Sequence, residues 1–398
     1  MRIRKTLWHN DSEPIIVIMA ILLVLGTINV FSSSFVLATH DYQTPFFFLK
    51  KHLVVLALGI VAFILCRRLN YEHWRRWMLP MLLGVLVMLV CVLAFGRAVN
   101  GAQRWLYIGP VSIQPAEFAK LISLMLAAAY LAACVHRKRK ASFLSLQIFC
   151  ILLMAALVYK EPDMGTACVV AGVPLVMFML VGVDKLSRVL LCLLPVGVVA
   201  MILGSPYRLE RMKVFFDPWS DPQHVGYQTV QSLATIGSGG FFGMGFGAGV
   251  SKYQYLPEAH TDFAFAIFCQ EHGFAGACFV FLLYTLLLVY CIRVANRAQD
   301  TFGQILATGI MILIVGQGIV NMLMVSGTLP VIGVPLPFIS YGGSSLLVSM
   351  MAMGMLTNIA DHGRKHTFEK PAQKPEPEKP APRRTRLHVV PGGQAGER

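Results

Sequence analysis

The chain has 398 residues, 56% of them hydrophobic and 14% charged, with a mean hydropathy of +0.64. That balance excludes a water-soluble globular domain, which needs more polar surface, and predicts an all-α polytopic membrane protein. The formal charge of +14 would suit nucleic acid or anionic lipid, but its placement beside apolar runs assigns it to membrane orientation, so no nucleic-acid partner is expected.

Runs near 20 apolar residues predict about ten transmembrane helices, at 14–36, 52–68, 78–96, 116–135, 143–159, 165–183, 187–204, 262–292, 303–326 and 338–360. The first follows Arg2, Arg4 and Lys5, is longer than a signal-peptide core and has no A-x-A site after it. It reads as an uncleaved span. The eighth is too long for one perpendicular crossing and is expected to tilt or to emerge at its cytoplasmic end. Clusters such as Arg67/Arg68/Arg75/Arg76 and Arg137–Lys140 alternate with loops poorer in Lys and Arg. This pattern places both termini in the cytoplasm.

The organisation expected is a cytoplasmic segment 1–13, a transmembrane domain 14–362 and a disordered Pro/Lys/Glu-rich cytoplasmic tail 363–398. A long extracytoplasmic loop, about 205–261, joins helices seven and eight. Ordinary loops are far shorter, so this one is read as functional. Within it, Tyr227, Val230, Leu233, Ala234 and Ile236 have a spacing that suits a helix lying on the headgroup region. The nine cysteines form no C-x-x-C pair and read as small apolar residues.

Six stretches carry candidate chemistry. In NGAQRWLYIGPVSIQPAEFAK, Gly101 and Gly109–Pro110 signal turns, and Arg104 falls at the outer interface. Glu117 and Lys120 are three residues apart on one helix face, either as an ordering ion pair or as a functional pair inside an apolar span. In KEPDMGT, Asp163 is placed to cap the sixth span, while Lys160 and Glu161 read as a wet loop. Arg208, Arg211 and Lys213 form a dense outer cationic cluster that suits a diphosphate or anionic headgroup, or is simply a solvated basic face. The run GSGGFFGMGFGAG has no preceding strand and no G-K-[ST], which excludes a nucleotide loop.

In YLPEAHTDFAFAIFCQE, Glu258, His260 and Asp262 crowd the mouth of a membrane helix. Close ionisable groups shift one another's pKa, as a general base needs, while Thr261 or Asp262 would also serve as an N-cap. In PVIGVPLPFISYGGSS, Pro335 and Pro337 break regular helix. Broken backbone at membrane depth lines a cavity or is buried in protein, so Asn321, Ser340, Tyr341 and Ser344 are candidates to line a cavity or to glue helices.

Taken together, NGAQRW…QPAEFAK, EPDMGT, DPWSDPQHVGYQTVQSLATIGSGG, YLPEAHTDFAFAI and GVPLPFISYGGSS resemble the signatures of the SEDS family of shape, elongation, division and sporulation proteins, closest to its division branch. The resemblance implies a ten-helix peptidoglycan glycosyltransferase that polymerises lipid II at the outer face of the inner membrane. It also implies partnership with a class B penicillin-binding protein transpeptidase and other divisome membrane proteins. The family's essential aspartate maps onto Asp262, its helix-four pair onto Glu117 and Lys120, and its P-D-x-G-T aspartate onto Asp163. Glu161 stands where many members have Gln, and Gln103 breaks the common Arg–Arg pair, so Arg104 alone carries over. The expected chemistry uses Asp262 as general base. Arg104, Arg208, Arg211 and Lys213 would stabilise the leaving diphosphate, or a divalent cation such as Mg or Mn would. The rival readings are a lipid II flippase, a non-catalytic scaffold and an elongation-type polymerase.

Overall fold

The computed structural model describes residues 10–99, 102–108, 111–204, 206–253 and 256–368. A helix covers each of the ten predicted apolar runs. They are α1 (Ser12–Tyr42), α2 (Phe47–Arg68), α4 (Met78–Phe95), α5 (Pro115–His136), α6 (Leu146–Lys160), α7 (Met164–Val181), α8 (Lys185–Leu203), α11 (Ala264–Arg297), the continuous α12–α13 unit (Thr301–Met311 and Gln317–Val325) and α14 (Gly343–Phe368). Short helices α3 (Tyr71–Arg76), α9 (Pro206–Phe216) and α10 (Tyr227–Ser238) complete the helical set. Among the described residues, eight helical segments are long and apolar enough to cross a membrane, and α6 is apolar but shorter. Their outer faces carry large apolar side chains such as Val54, Leu79, Val87 and Leu180, as a lipid-facing surface requires.

α5 is the central post. Fifteen of its residues are buried, including Glu117 and Lys120, and it packs against α4, α6, α7, α12 and α14. Its start at Pro115 marks the site end of the bundle, and its finish at His136 marks the far end. The far end is tied by polar contacts. Asp361 of α14 accepts from Asn10 Nδ2 (2.5 Å), Ser12 Oγ (2.7 Å) and Arg67 Nε (3.0 Å), and Arg297 reaches Asp11 at 2.5 Å.

Three features depart from the sequence reading. The stretch between α4 and α5 is not plain loop. Strands β1 (Arg97–Val99), β2 (Ala102–Ile108) and β3 (Val111–Ile113) form an antiparallel sheet in the order β1-β2-β3. The eighth helix does not run straight through its length: Gly273 sits at φ 68°, ψ −167° and divides α11 into a short first arm and a long second one. That conformation is open to glycine and strained for other residues. The last helix begins at Gly343, not 338, because residues 327–342 are irregular, and it continues to Phe368, beyond the expected span end. Most of the expected tail, from 369 on, lies outside the described residues, as does the N-terminal segment 1–9.

α10 also differs from a helix lying free on headgroups. Val230, Ser232 and Thr235 are buried, and Ser232 Oγ donates to the Val325 carbonyl at 2.7 Å. Beyond it, the glycine-rich run wraps the α11 break. A Cβ on Gly243 would stand 2.2 Å from the Glu271 carbonyl oxygen, so the backbones touch directly. Lys252 then enters the core with its Nζ donating to Gly247 O (2.7 Å), Ser32 Oγ (3.2 Å) and Glu271 Oε1 (3.2 Å). A buried ammonium needs such partners, since each lost bond leaves a desolvated charge.

Candidate active site

The irregular segment 327–342 shapes the site. Proline and glycine keep it out of regular helix, and apart from a turn at Leu336–Ser340, where Ile339 N and Ser340 N donate to Leu336 O, helices around it supply donors. Asn321 Nδ2 reaches Val334 O (2.7 Å), Gln317 Nε2 reaches Pro335 O (2.8 Å) and Tyr284 Oη reaches Pro337 O (2.5 Å). Two glycines let helices touch this segment: a Cβ on Gly26 would meet Phe338 O at 1.9 Å, and one on Gly165 would meet Ile332 O at 2.1 Å.

Asp262 lies against this segment in the turn that precedes α11. Asn321 Nδ2 also donates to its backbone carbonyl at 2.8 Å. A Cβ on Gly333 would stand 3.4 Å from its Oδ2, in ordinary contact. Neither Thr261 nor Asp262 caps α11, whose N-cap is Phe263 without a side-chain bond. No described residue donates a hydrogen bond to the Asp262 carboxylate. Burial pushes its pKa up to about 7, with Glu258, Asp163 and Glu117 adding to the rise and Arg104 opposing it. A carboxyl without donors, in reach of like charges, is expected to hold its proton more tightly.

The other predicted residues fall into place around it. Lys120 Nζ and Glu117 Oε2 are 2.7 Å apart, both buried, and Lys120 also donates to Gln317 Oε1 at 3.2 Å. The pair thereby connects to the amide that holds Pro335. Asp163 caps α7, accepting from Thr166 N at 3.1 Å, while its other oxygen accepts from Gln114 Nε2 at 3.0 Å. Gln114 in turn donates its backbone N–H to Ser344 Oγ at 2.9 Å. Arg104 stands on β2 and donates to the carbonyls of Glu161, at 3.3 Å, and Pro162. The sheet absent from the sequence reading is therefore what holds this cation in place.

Glu161 corrects the wet-loop expectation. It is fully buried, and neither carboxyl oxygen has a hydrogen-bond partner among the described residues. Burial pushes its pKa up to about 8, with Asp163 adding and Arg104 opposing. Glu258 is exposed and accepts from Thr261 Oγ1 at 2.8 Å. His260 packs between Phe48 and Tyr341 with tilted rings, and burial lowers its pKa despite Glu258, which favours the uncharged ring. Ser340 is buried and accepts from Leu336 N at 2.9 Å, so it closes a turn of the irregular segment. Lys213 is exposed on α9. Arg208 and Arg211 share that helix, and their side chains lie outside the described set. Gln114 and Gln317 carry no signal in the sequence, because a glutamine in or beside an apolar run has neither charge nor periodicity to mark it.

Among the described residues, no three His, Cys, Asp or Glu side chains are grouped to hold a metal ion. Magnesium-type ions bind through one or two carboxylates together with substrate phosphates. The donor set fits that mode alone.

The arrangement combines a half-buried carboxyl, a guanidinium held on a sheet and a buried ion pair, all within an apolar helical bundle. Residues 13–365 match the family described as cell cycle protein, FtsW/RodA/SpoVE, and the chain belongs to that family. It is 38% identical over 373 residues to the "Probable peptidoglycan glycosyltransferase FtsW" of Trichlorobacter lovleyi, covering 90% of this chain and 95% of that one. Stage V sporulation protein E of Bacillus subtilis is 38% identical over 358 residues, covering 88% and 97%. Among solved structures, one described as "Structural coordination of polymerization and crosslinking by a peptidoglycan synthase complex" superposes with a TM-score of 0.72. It is 27% identical and covers 89% of this chain and 98% of that one. The rod shape determining protein RodA of Thermus thermophilus gives a TM-score of 0.63 at 27% identity, covering 87% and 95%.

Proposed function

We propose that this chain is a peptidoglycan glycosyltransferase of the division type, polymerising lipid II at the outer face of the cytoplasmic membrane. The observation that carries the reading is Asp262. Its carboxyl has no donor among the described residues, its pKa lies near neutrality, and Arg104 acts on it. The relatives' printed names and the likeness to a peptidoglycan synthase complex support the same activity.

The chemistry runs as one displacement. The 4-hydroxyl of one lipid-linked sugar attacks the anomeric carbon of another. Asp262 takes the hydroxyl proton as the new glycosidic bond forms. The bond to undecaprenyl diphosphate breaks, and the diphosphate leaves with its electron pair, inverting the anomeric centre. Arg104 is placed to meet that charge, with Arg208, Arg211 and Lys213 of α9 as further cations. Glu117, through Lys120 and Gln317, keeps the irregular segment in register beneath Asp262. A divalent ion, magnesium or manganese, would be held by Glu258 together with the diphosphate and would neutralise leaving charge there, leaving Asp262 to take the proton.

The site end faces outward in this reading, both termini face inward, and a class B penicillin-binding protein cross-links the product. Purified protein, with that partner, should convert labelled lipid II into glycan ladders. Absence of polymer from folded complex would overturn the assignment.

A further inference from the structure

At the far end, remote from Asp262, α3, α4, α5 and α6 enclose a cavity of about 510 Å³. Its mouth carries Arg75, Arg137, Arg139 and Lys140. Its wall is largely apolar, with Met78, Leu126, Ala129 and Ala133, and it also includes Tyr130, Cys134 and the polar Gln147. We propose that this cleft binds an anionic phospholipid, with the headgroup phosphate among the four cations and one acyl chain against the apolar wall.

The depth of the cleft argues for a lipid over a soluble anion. Leu126 of α5 lies eleven residues before Arg137, the residue that caps the helix, about 16 Å along its axis. A free phosphate would use only the mouth and leave that wall empty. The surroundings fit as well: Leu79, Leu144, Leu146 and Phe149, on α4, the α5–α6 connection and α6, are large, apolar and exposed, as on a surface that meets a bilayer. Topology signals alone account for the positive charge. They do not account for a shaped apolar slot beneath it.

The mouth is also built and held. Tyr130 Oη donates to Ser142 O at 3.2 Å and accepts from Ser142 N at 3.0 Å, fixing the α5–α6 connection over the cleft. Phe143 N donates to Ser187 Oγ at 2.8 Å, and Asp184 N to Ala141 O at 3.0 Å. Among the described residues no carboxylate pairs with Arg75, Arg137 or Arg139. Lys140 is partly committed, since its charge helps to hold Asp184 below the usual carboxylate range behind the Ser187 hydrogen bonds. Three guanidiniums therefore line one opening with no carboxylate paired to them among the described residues, and guanidinium suits phosphate oxygens through paired donors.

The test is native mass spectrometry of the detergent-purified full chain with added phosphatidylglycerol or phosphatidylcholine. Wild type should retain phosphatidylglycerol preferentially. Each cation near a membrane surface contributes about 1 kcal/mol, so Arg75→Gln/Arg137→Gln/Arg139→Gln should weaken retention about 100-fold. Ala129→Phe, which fills the slot and leaves every charge, should weaken it at least about tenfold, by the cost of displacing several buried methylenes. If the triple variant does not fold, Ala129→Phe decides. Equal retention of the two lipids, unchanged retention in either folded variant, or displacement by equimolar inorganic diphosphate or an acidic glutamate peptide would each overturn the proposal.

Discussion

Asn321 holds Asp262 by its backbone and leaves its carboxylate free: Nδ2 donates to the Asp262 carbonyl oxygen at 2.8 Å, and no described residue donates to the side chain. The same amide nitrogen grips Val334 O at 2.7 Å. One side chain thus fixes the reacting group and the irregular segment in common register. Asn321→Leu should cut polymerisation by about 10²-fold, the scale expected when a reacting group shifts by about 1 Å. Single-turnover kinetics on folded protein would check it; a wild-type rate would remove Asn321 from the account.

The buried Glu117–Lys120 pair predicts a non-additive stability pattern. Removing one partner strands a charge in the core, at a cost of about 3–5 kcal/mol. Glu117→Gln and Lys120→Met should each lower the melting temperature sharply. Glu117→Leu/Lys120→Met should recover most of that loss, while activity stays low because Gln317 has lost its donor. Thermal melts of the three variants decide this, and additive losses would count against a charge-pair role.

Two carboxyls of raised pKa predict the pH profile. With Asp262 at about 7, the base form grows and the rate rises as pH passes through about 7. Glu161 is neutral there and ionises near about 8, where its new charge competes for Arg104, so the rate falls again. Glu161→Gln should remove the alkaline fall and keep the acid limb. Stability follows the same sign. The native state holds the Glu161 proton more tightly than the unfolded chain, whose ordinary value is 4.5. Stability is therefore lost as pH rises from about 4.5 through about 8. The variant should melt at the same temperature as wild type near pH 5 and several degrees higher near pH 8.

Gly165 tests the close approach of α7 to the irregular segment. A Cβ there would meet Ile332 O at 2.1 Å, whereas one on Gly84 meets nothing within 4 Å. Gly165→Ala should displace the segment and lower activity at least about tenfold, with Gly84→Ala unaffected. Equal activities in the glycan assay would show that the segment tolerates movement.

The sequence showed what depends on local pattern. Long apolar runs located the helices, and the three-residue spacing of Glu117 and Lys120 foretold their contact. Asp163 took the capping role its position suggested. What depends on distant partners was hidden. β2, Ala-Gln-Arg-Trp-Leu-Tyr-Ile, has no polar–apolar alternation and its partners have three residues each, so the sheet carrying Arg104 shows in the sequence only as turn signals. Glu161 looks solvated beside Lys160 because only the packed fold buries it. The Gly273 break lies inside an apolar run, where a single glycine does not distinguish a kink from a packed helix. Lys252 reads as loop charge until Glu271 and Ser32, from two other helices, are seen around its ammonium.

The central claim is that the Asp262 carboxyl removes the acceptor proton. The direct measurement is the rate of glycan formation from labelled lipid II by purified Asp262→Asn protein with the proposed transpeptidase partner. Because the wild-type carboxylate makes no hydrogen bond with a described residue and its raised pKa costs stability as pH rises through about 7, the variant should melt no lower than wild type near pH 5 and higher near pH 8. Its rate should fall at least about 10²-fold across the pH range, the contribution typical of a general base. Glycan ladders formed at the wild-type rate by the Asp262→Asn variant would contradict the account.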